Sequence, residues 1–263
     1  MARDGMRAAS AREVAALLRD APYEEVDRLA ARYGDDPRSQ VQRALQQAAR
    51  RHEAERRERQ RVRSMYGLER ELSGGGMALG IDEVGRGALA GPLTVCAVAL
   101  PAEPVIWGLN DSKQLTPARR EVLATRIAEH AVAIGMAHVE AASIDAVGMA
   151  TARRMGMAQA IEDSGLDPEV VLVDGNPVRV HPREVSLVRG DARVACIAAA
   201  SIVAKVARDA MMVAYAEDYP GYHLASCKGY GSAEHVESIR ARGLSPIHRA
   251  SFCGNFLETP RLF

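Results

Sequence analysis

The chain has 263 residues, 48% of them hydrophobic, which is enough for one large domain or for a medium domain with an appendage. Lys plus Arg and Asp plus Glu are equal at 34 each, so whole-chain charge does not point to nucleic acid. Cys96, Cys196, Cys227 and Cys253 are scattered without a C-x-x-C pair, which excludes a disulfide framework and argues against a zinc site. The start of the chain lacks an apolar signal-like core and no run reaches membrane-spanning length, so a cytoplasmic protein without membrane contact is expected.

Residues 1–74 are rich in Arg, Ala, Glu and Gln and predict an all-α extension. Ser10 with Glu13 forms a capping box ahead of Val14, Leu17 and Leu18, and this first helix ends before Pro22. Val26, Leu29, Ala30 and Tyr33 stripe a second helix that stops at Gly34. A long third helix opens near Pro37 or Ser39 and carries Arg43, Arg50, Arg51, Arg56, Arg57, Arg59, Arg61 and Arg63 against Glu53, Glu55 and Glu58. Two readings stand for this run: a solvated face laced with Glu–Arg pairs, or a phosphate-binding face. Ser73-Gly74-Gly75-Gly76 reads as a linker, with a second domain over 75–263.

From residue 77 strands alternate with helices, the pattern of an α/β domain. Strands are predicted over 77–82, 93–100, 133–140, 170–174 and 185–189, the first three antiparallel and the last two reached by crossovers, in one five-stranded mixed sheet. Helices are predicted from Thr116-Pro117 to His130, from Ser143 to about Asp163, and from Ala192 to about Tyr215.

The sharpest chemistry lies in LGIDEVGRGALAGP, residues 79–92, where an apolar strand runs into Asp82 and Glu83 and then a glycine-rich turn. Two carboxylates at the end of a buried strand repel each other and lose hydration, and a divalent cation is the simplest remedy. Successive strand side chains face opposite ways, so both acids reach one cluster only where the chain leaves regular geometry, a departure Gly85 and Gly87 permit. Gly85-Arg86-Gly87 could also bring backbone N–H groups against a hydroxyl or phosphate. VVLVDGN repeats the strand-end acid at Asp174, and VSLVRGD does so at Asp191, for which an Asx-turn and a helix N-cap are the plain structural alternatives.

GIDEVGRGALAGP resembles the first signature of ribonuclease HII, the type 2 ribonuclease H family, with Ala88 where the family usually carries proline. SPIHRASF, residues 245–252, resembles a further signature in which His248 and Arg249 brace the site, and the resemblance runs roughly over 77–252. It implies a ribonuclease H-like fold, with Asp82, Glu83, Asp174 and Asp191 matching the four catalytic carboxylates. It also implies an endoribonuclease that cuts the RNA strand of RNA–DNA hybrids and nicks 5′ of ribonucleotides in duplex DNA, leaving a 5′-phosphate and a 3′-hydroxyl. All-oxygen ligation suits Mg²⁺ or Mn²⁺, and four acids can hold two such cations about 4 Å apart for an in-line displacement. Backbone groups of Gly85, Arg86 and Gly87 match the element that contacts the 2′-hydroxyl, and Tyr230, between two glycines, matches the tyrosine that stacks on the sugar. Lys113, Ser201, Lys205 and Lys228 are candidate phosphate contacts, Lys205 and Arg208 being equally well the polar face of a helix. The expected partners are the hybrid and the ribonucleotide-containing duplex, bound by a monomer whose extension engages nucleic acid or a protein. The alternatives are a DNA-acting nuclease or strand-transfer enzyme of the same fold, and a non-catalytic hybrid-binding protein.

Overall fold

The structure, a computed structural model, describes residues 9–257, and the chain divides after Arg61 into two compact units. In the first unit α1 (Ala11–Asp20) opens on the expected capping box: Ser10 Oγ accepts from Glu13 N–H at 3.3 Å, and Glu13 Oε2 accepts from Ser10 N–H at 2.7 Å. Val14 and Leu18 of α1 pack with Val26 and Leu29 of α2 (Tyr23–Tyr33) and with Val41 and Ala48 of α3 (Ser39–Leu72). Many arginines of α3 are spent within this unit. Arg51 donates to the carbonyls of Leu18, Arg19 and Ala21, closing the end of α1. Arg56 and Arg57 pair with Glu53, Arg59 pairs with Glu24 and Glu55, and Arg61 pairs with Glu58.

The second unit, from Val62, is built on a five-stranded sheet of order β3-β2-β1-β4-β5, formed by β1 (Ala78–Val84), β2 (Leu93–Ala99), β3 (Ala133–Val139), β4 (Val170–Asp174) and β5 (Glu184–Leu187). β1, β2 and β3 pair antiparallel, and β1–β4 and β4–β5 pair parallel, as the two crossovers require. Strand alternation sorts the core into two layers. Ala78, Cys96, Val98, Val170 and Leu172 face the helix α7 (Ala195–Asp218). Leu79, Ile81, Val95, Val171 and Val173 face α6 (Met149–Asp163). Gly80 lets α7 lie directly on β1, since a Cβ there would overlap the backbone of Cys196 and Ile197. α4 (Pro117–His130), capped by Thr116 with Pro117 in its first turn, packs Leu123 and Ile127 into the α7 layer.

Three boundaries differ from expectation. The helix predicted from Ser143 is two helices, α5 (Ala141–Val147) and α6, separated by Gly148 at φ +78°, a backbone state that suits glycine. β5 ends at Leu187, because Arg189 turns left-handed at φ +56° and leads into a 3₁₀ turn over Gly190–Ala192. α7 therefore starts at Ala195 with Val194 as its N-cap, and Asp191 is not the cap of that helix. The described residues close with α8 (Leu224–Cys227), α9 (Ala233–Arg242) and α10 (Ala250–Leu257) around a small core of Met212, Tyr222, Leu224 and Ile239.

Candidate active site

The register of the sheet assembles the acids. Ala78 opposes Val170 and Gly80 opposes Leu172, so the next positions on the same face, Asp82 and Asp174, stand side by side where the parallel pairing of β1 and β4 ends. The 3₁₀ turn after β5 brings Asp191 to them. One carboxylate oxygen from each of Asp82, Asp174 and Asp191 lies within 4.8 Å of the others. Asp174 Oδ1 accepts from Gly190 N–H at 2.7 Å and from Asp191 N–H at 3.4 Å, so it ties the end of β4 to that turn rather than forming an Asx-turn in its own loop.

Burial pushes the Asp82 carboxyl well above the usual carboxylate range, with the charges of Glu83 and Asp174 adding to it and a hydrogen bond from Ser201 opposing it. Asp191 is raised to about 6 by burial and then by Asp174 and Asp111, with Lys113 pulling the other way. Three acids held this close with so little solvation form a site of unmet negative charge, and an all-oxygen donor set of this kind fits a hard divalent cation.

Glu83 pairs with a cation, while its charge still raises Asp82. β1 stays regular through Val84, which still pairs with Thr94, so Glu83 turns to the α6 face while Asp82 turns to the α7 face. The departure from strand geometry that sequence reasoning allowed for is not taken before Gly85. Glu83 Oε1 lies 2.9 Å from Nε of Arg153 and 3.9 Å from Nη1 of Arg86, and its Oε2 is buried without a hydrogen-bond partner. Burial raises the Glu83 pKa, and Arg153 opposes that rise.

The glycine-rich turn is held from behind by two fully buried arginines. Arg249 donates to the carbonyls of Gly85, Arg86 and Gly91, and Arg208 to those of Ala90, Pro92 and Lys228. Gly85 adopts φ +89°, and a Cβ there would overlap the Arg208 guanidinium. Arg208 is thus an internal brace, not a polar surface residue. Arg86 is exposed, and the position of a Cβ on Gly87 is open, so this stretch of backbone is accessible to a ligand.

The Tyr230 loop is stitched to the same turn, with Leu89 and Ala90 N–H both donating to the Gly229 carbonyl at 2.8 and 3.2 Å. Tyr230 is 36% exposed, with Lys205 Nζ at 5.8 Å and Arg208 Cζ at 5.4 Å from its ring centroid. Its carbonyl accepts from Nδ1 of the buried His235 at 2.9 Å. His235 Nε2 meets His248 Nε2 at 3.1 Å, and His248 Nδ1 accepts from Ser245 N–H at 3.0 Å. This order of donors and acceptors gives two neutral imidazoles with every ring nitrogen used. His248 and Arg249 therefore brace the loops, the structural role expected of them.

The remaining candidates separate. Ser201 is buried, 2.9 Å from Ser112 Oγ, and its hydroxyl favours the charged form of Asp82, so it faces the carboxylates and not open solvent. Lys113 is exposed on the 3₁₀ turn Ser112–Gln114, close enough to stabilise the charge of Asp191. Lys205 Nζ donates to Asp209 Oδ1 at 2.7 Å beside Tyr230, and Lys228 Nζ donates to the Ala225 carbonyl. Sequence reasoning missed Arg153 altogether. Its signal was there: Ala152, Arg153, Gly156, Met157 and Ala160 form the buried stripe of α6, so an arginine occupies an apolar position.

Comparison with known proteins agrees with this geometry. The family model described as Ribonuclease HII matches residues 79–255, and the one described as Ribonuclease HII N-terminal domain matches residues 10–73. The chain belongs to the ribonuclease HII family. It is 44% identical over 225 residues to the ribonuclease HII of Lachnoclostridium phytofermentans, covering 85% of this chain and 89% of that one. Against the ribonuclease HII of Enterococcus faecalis it is 42% identical over 228 residues, covering 86% and 89%. The crystal structure of ribonuclease H2 from Pyrococcus horikoshii OT3 shares the fold, with a TM-score of 0.58 at 24% identity over 70% of this chain and all of that one. Ribonuclease HII proteins are endonucleases with ribonuclease H activity, and the ribonuclease H-like sheet with its N-terminal helical region agrees with the sequence reading.

Proposed function

We propose that this chain is a metal-dependent endoribonuclease that cleaves the RNA strand of RNA–DNA hybrids and nicks duplex DNA 5′ of an embedded ribonucleotide. The observation that carries the reading is the convergence of Asp82, Asp174 and Asp191 within 4.8 Å beside an accessible glycine-rich turn. Asp82, Asp174 and Asp191 would hold the cation, and Glu83, whose charge acts on Asp82, would contribute to a second. When bound, Mg²⁺ or Mn²⁺ supplies the charge neutralisation and Lewis acidity for an in-line phosphodiester displacement. Water attacks phosphorus as the bond from phosphorus to the 3′-oxygen breaks; one proton of the water ends on the leaving 3′-oxygen, giving the 3′-hydroxyl, and the other is released from the new 5′-phosphate.

The residues around the acids choose the strand. Backbone groups of Gly85, Arg86 and Gly87 read the 2′-hydroxyl, the group that separates RNA from DNA, and the exposed Tyr230 ring stacks on the sugar at the junction. Lys113, Lys205 and Lys228 supply positive charge for flanking phosphates, and Ser201 holds Asp82. Residues 1–74 serve as a helical extension to a catalytic domain over 75–263. The ion pairs of Arg56, Arg57, Arg59 and Arg61 favour a solvated, self-paired helix for that extension over a dedicated phosphate track. The test is cleavage of a labelled hybrid by the wild type and by Asp82→Asn. Loss of cutting with hybrid binding retained supports the reading, and an unimpaired rate removes Asp82 from the chemistry.

A further inference from the structure

Past the division at Arg61, Val62, Met65, Glu69 and Leu72 recur at helical spacing on α3, and Met65, Leu68 and Leu72 pack into the α7 layer of the second unit. Glu69 is the acid in that apolar stripe, and it is 8% exposed. Its helix is fixed one turn earlier, where Tyr66 Oη accepts from Ile106 N–H at 3.1 Å. A carboxylate in such a place needs donors, and α7 supplies them. Glu69 Oε2 accepts from Cys196 N–H at 2.8 Å in a buried contact, and the Cys196 thiol donates to the same carboxylate. Burial, and then the Glu69 charge, push that thiol well above its usual range, so it keeps the proton it donates.

The need is mutual. α7 opens on Val194, which has no polar group to cap the helix, and no acid stands in its first turn. Ala195, Cys196 and Ile197 are fully buried, so water does not reach the amides that an α-helix leaves without internal partners. Glu69 caps α7 from another helix, with its charge at the positive end of the helix dipole. The capped turn is also a joint between the acids of the site. Upstream, Arg193 and Val194 N–H donate to the Gly190 carbonyl, and Gly190 N–H donates to Asp174 Oδ1, in the stretch that carries Asp191. Alongside, the Cys196 backbone lies against Gly80, two residues before Asp82 on the same face of β1. Further along α7, the Ser201 hydroxyl favours the charged form of Asp82.

We propose that Glu69 is a positioning residue of the active site: by capping α7 it fixes the first turn of that helix, and through it the spacing of Asp82, Asp174 and Asp191. The proposal rests on the catalytic reading above, and it gives the end of the helical extension a part in shaping the site. The test uses the full chain with Glu69→Met, which removes the cap, and Glu69→Gln, which keeps an oxygen to accept from Cys196 N–H. Amide hydrogen exchange over residues 190–200, the single-turnover rate on a hybrid and hybrid affinity in chelator are measured on each, on protein shown to be folded by circular dichroism. Glu69→Met is expected to exchange faster over that stretch and to cut about tenfold or more slowly, with hybrid affinity within about twofold of wild type. Glu69→Gln is expected to recover the rate to within about threefold of wild type. A Glu69→Met protein that melts earlier but cuts within about twofold of the wild-type rate assigns Glu69 to stability alone and overturns the proposal, as does a Glu69→Gln protein as slow as Glu69→Met. Asp82→Asn on the same substrate keeps the two readings apart: if it too cuts at the wild-type rate, the catalytic reading falls and this proposal with it. If Glu69→Met does not fold, Glu69→Asp, one methylene short of Cys196, takes its place with the same outcomes.

Discussion

The guanidinium of Arg249 donates to the carbonyl oxygen of Gly85 at 2.7 Å from a fully buried position, with no carboxylate among its hydrogen-bond partners. Burial, and then the neighbouring Arg208, pull the Arg249 pKa down to about 10, so the charge is costly where it is. What offsets the cost is the set of carbonyls that the glycine-rich turn points inward. Arg249→Met leaves the Gly85, Arg86 and Gly91 carbonyls without these donors and should cost about 3 kcal/mol or more. Chemical denaturation measures it. Arg249→Lys, with three donors on a mobile ammonium in place of the planar fork, should recover only part of the loss.

The seam between β1 and α7 should be as unforgiving. Gly80→Ala puts a methyl group into the backbone of Cys196 and Ile197, where neither element can yield without moving Asp82 or the buried start of α7. A destabilisation of about 1–3 kcal/mol is expected, with cleavage falling further than stability because the carboxylate spacing shifts. Thermal melting and a single-turnover rate on the same sample separate the two.

The histidine relay predicts a pH dependence. Burial, followed by the neighbouring His235, lowers the His248 pKa from 6.5 to about 4. The unfolded chain therefore takes up a proton between about pH 6.5 and 4 that the folded protein refuses, and stability falls as pH drops through that window. The loss from this group approaches about 3 kcal/mol at the acid end. Glu69 runs the other way: burial raises its pKa to about 7, so its contribution falls as pH rises from about 4.5 to 7. Subtracting the profile of His248→Asn from that of the wild type removes the Glu69 slope. The difference should shrink on acidification, and a flat difference would remove His248 as the cause.

Much of this site was legible because it follows from alternation and strand ends. Asp82 and Asp174 each follow the apolar run of a strand, and parallel pairing of those strands is enough to put them side by side. Asp191 was legible as an acid near the same edge, but its local structure was not: Arg189 enters a left-handed turn that shifts the start of α7 by three residues from Ala192 to Ala195. The ion pair of Glu83 was not legible, because its partner, Arg153, lies on a helix far along the chain and reaches it only through the packing of α6 on the sheet. The same holds for Arg208, whose place in the buried stripe Ala204, Arg208, Met212 gives it away only once α7 is known to be covered along that side.

Sugar discrimination gives a sharper prediction. Tyr230→Ala should slow cutting at a single ribonucleotide in DNA more than cutting of a long hybrid, since stacking by one aromatic is worth about 1–3 kcal/mol and a long hybrid offers many alternative registers. Equal losses on the two substrates would place Tyr230 in general binding and not at the junction.

The most direct measurement is cleavage of a DNA duplex carrying one ribonucleotide, beside an all-DNA duplex of the same sequence, in Mg²⁺, in Mn²⁺ and in chelator. The account predicts a single nick 5′ of the ribonucleotide that requires the metal, ends in a 3′-hydroxyl and a 5′-phosphate, and leaves the all-DNA duplex whole. Cutting that survives the chelator, or cutting of the all-DNA duplex at a similar rate, would contradict it.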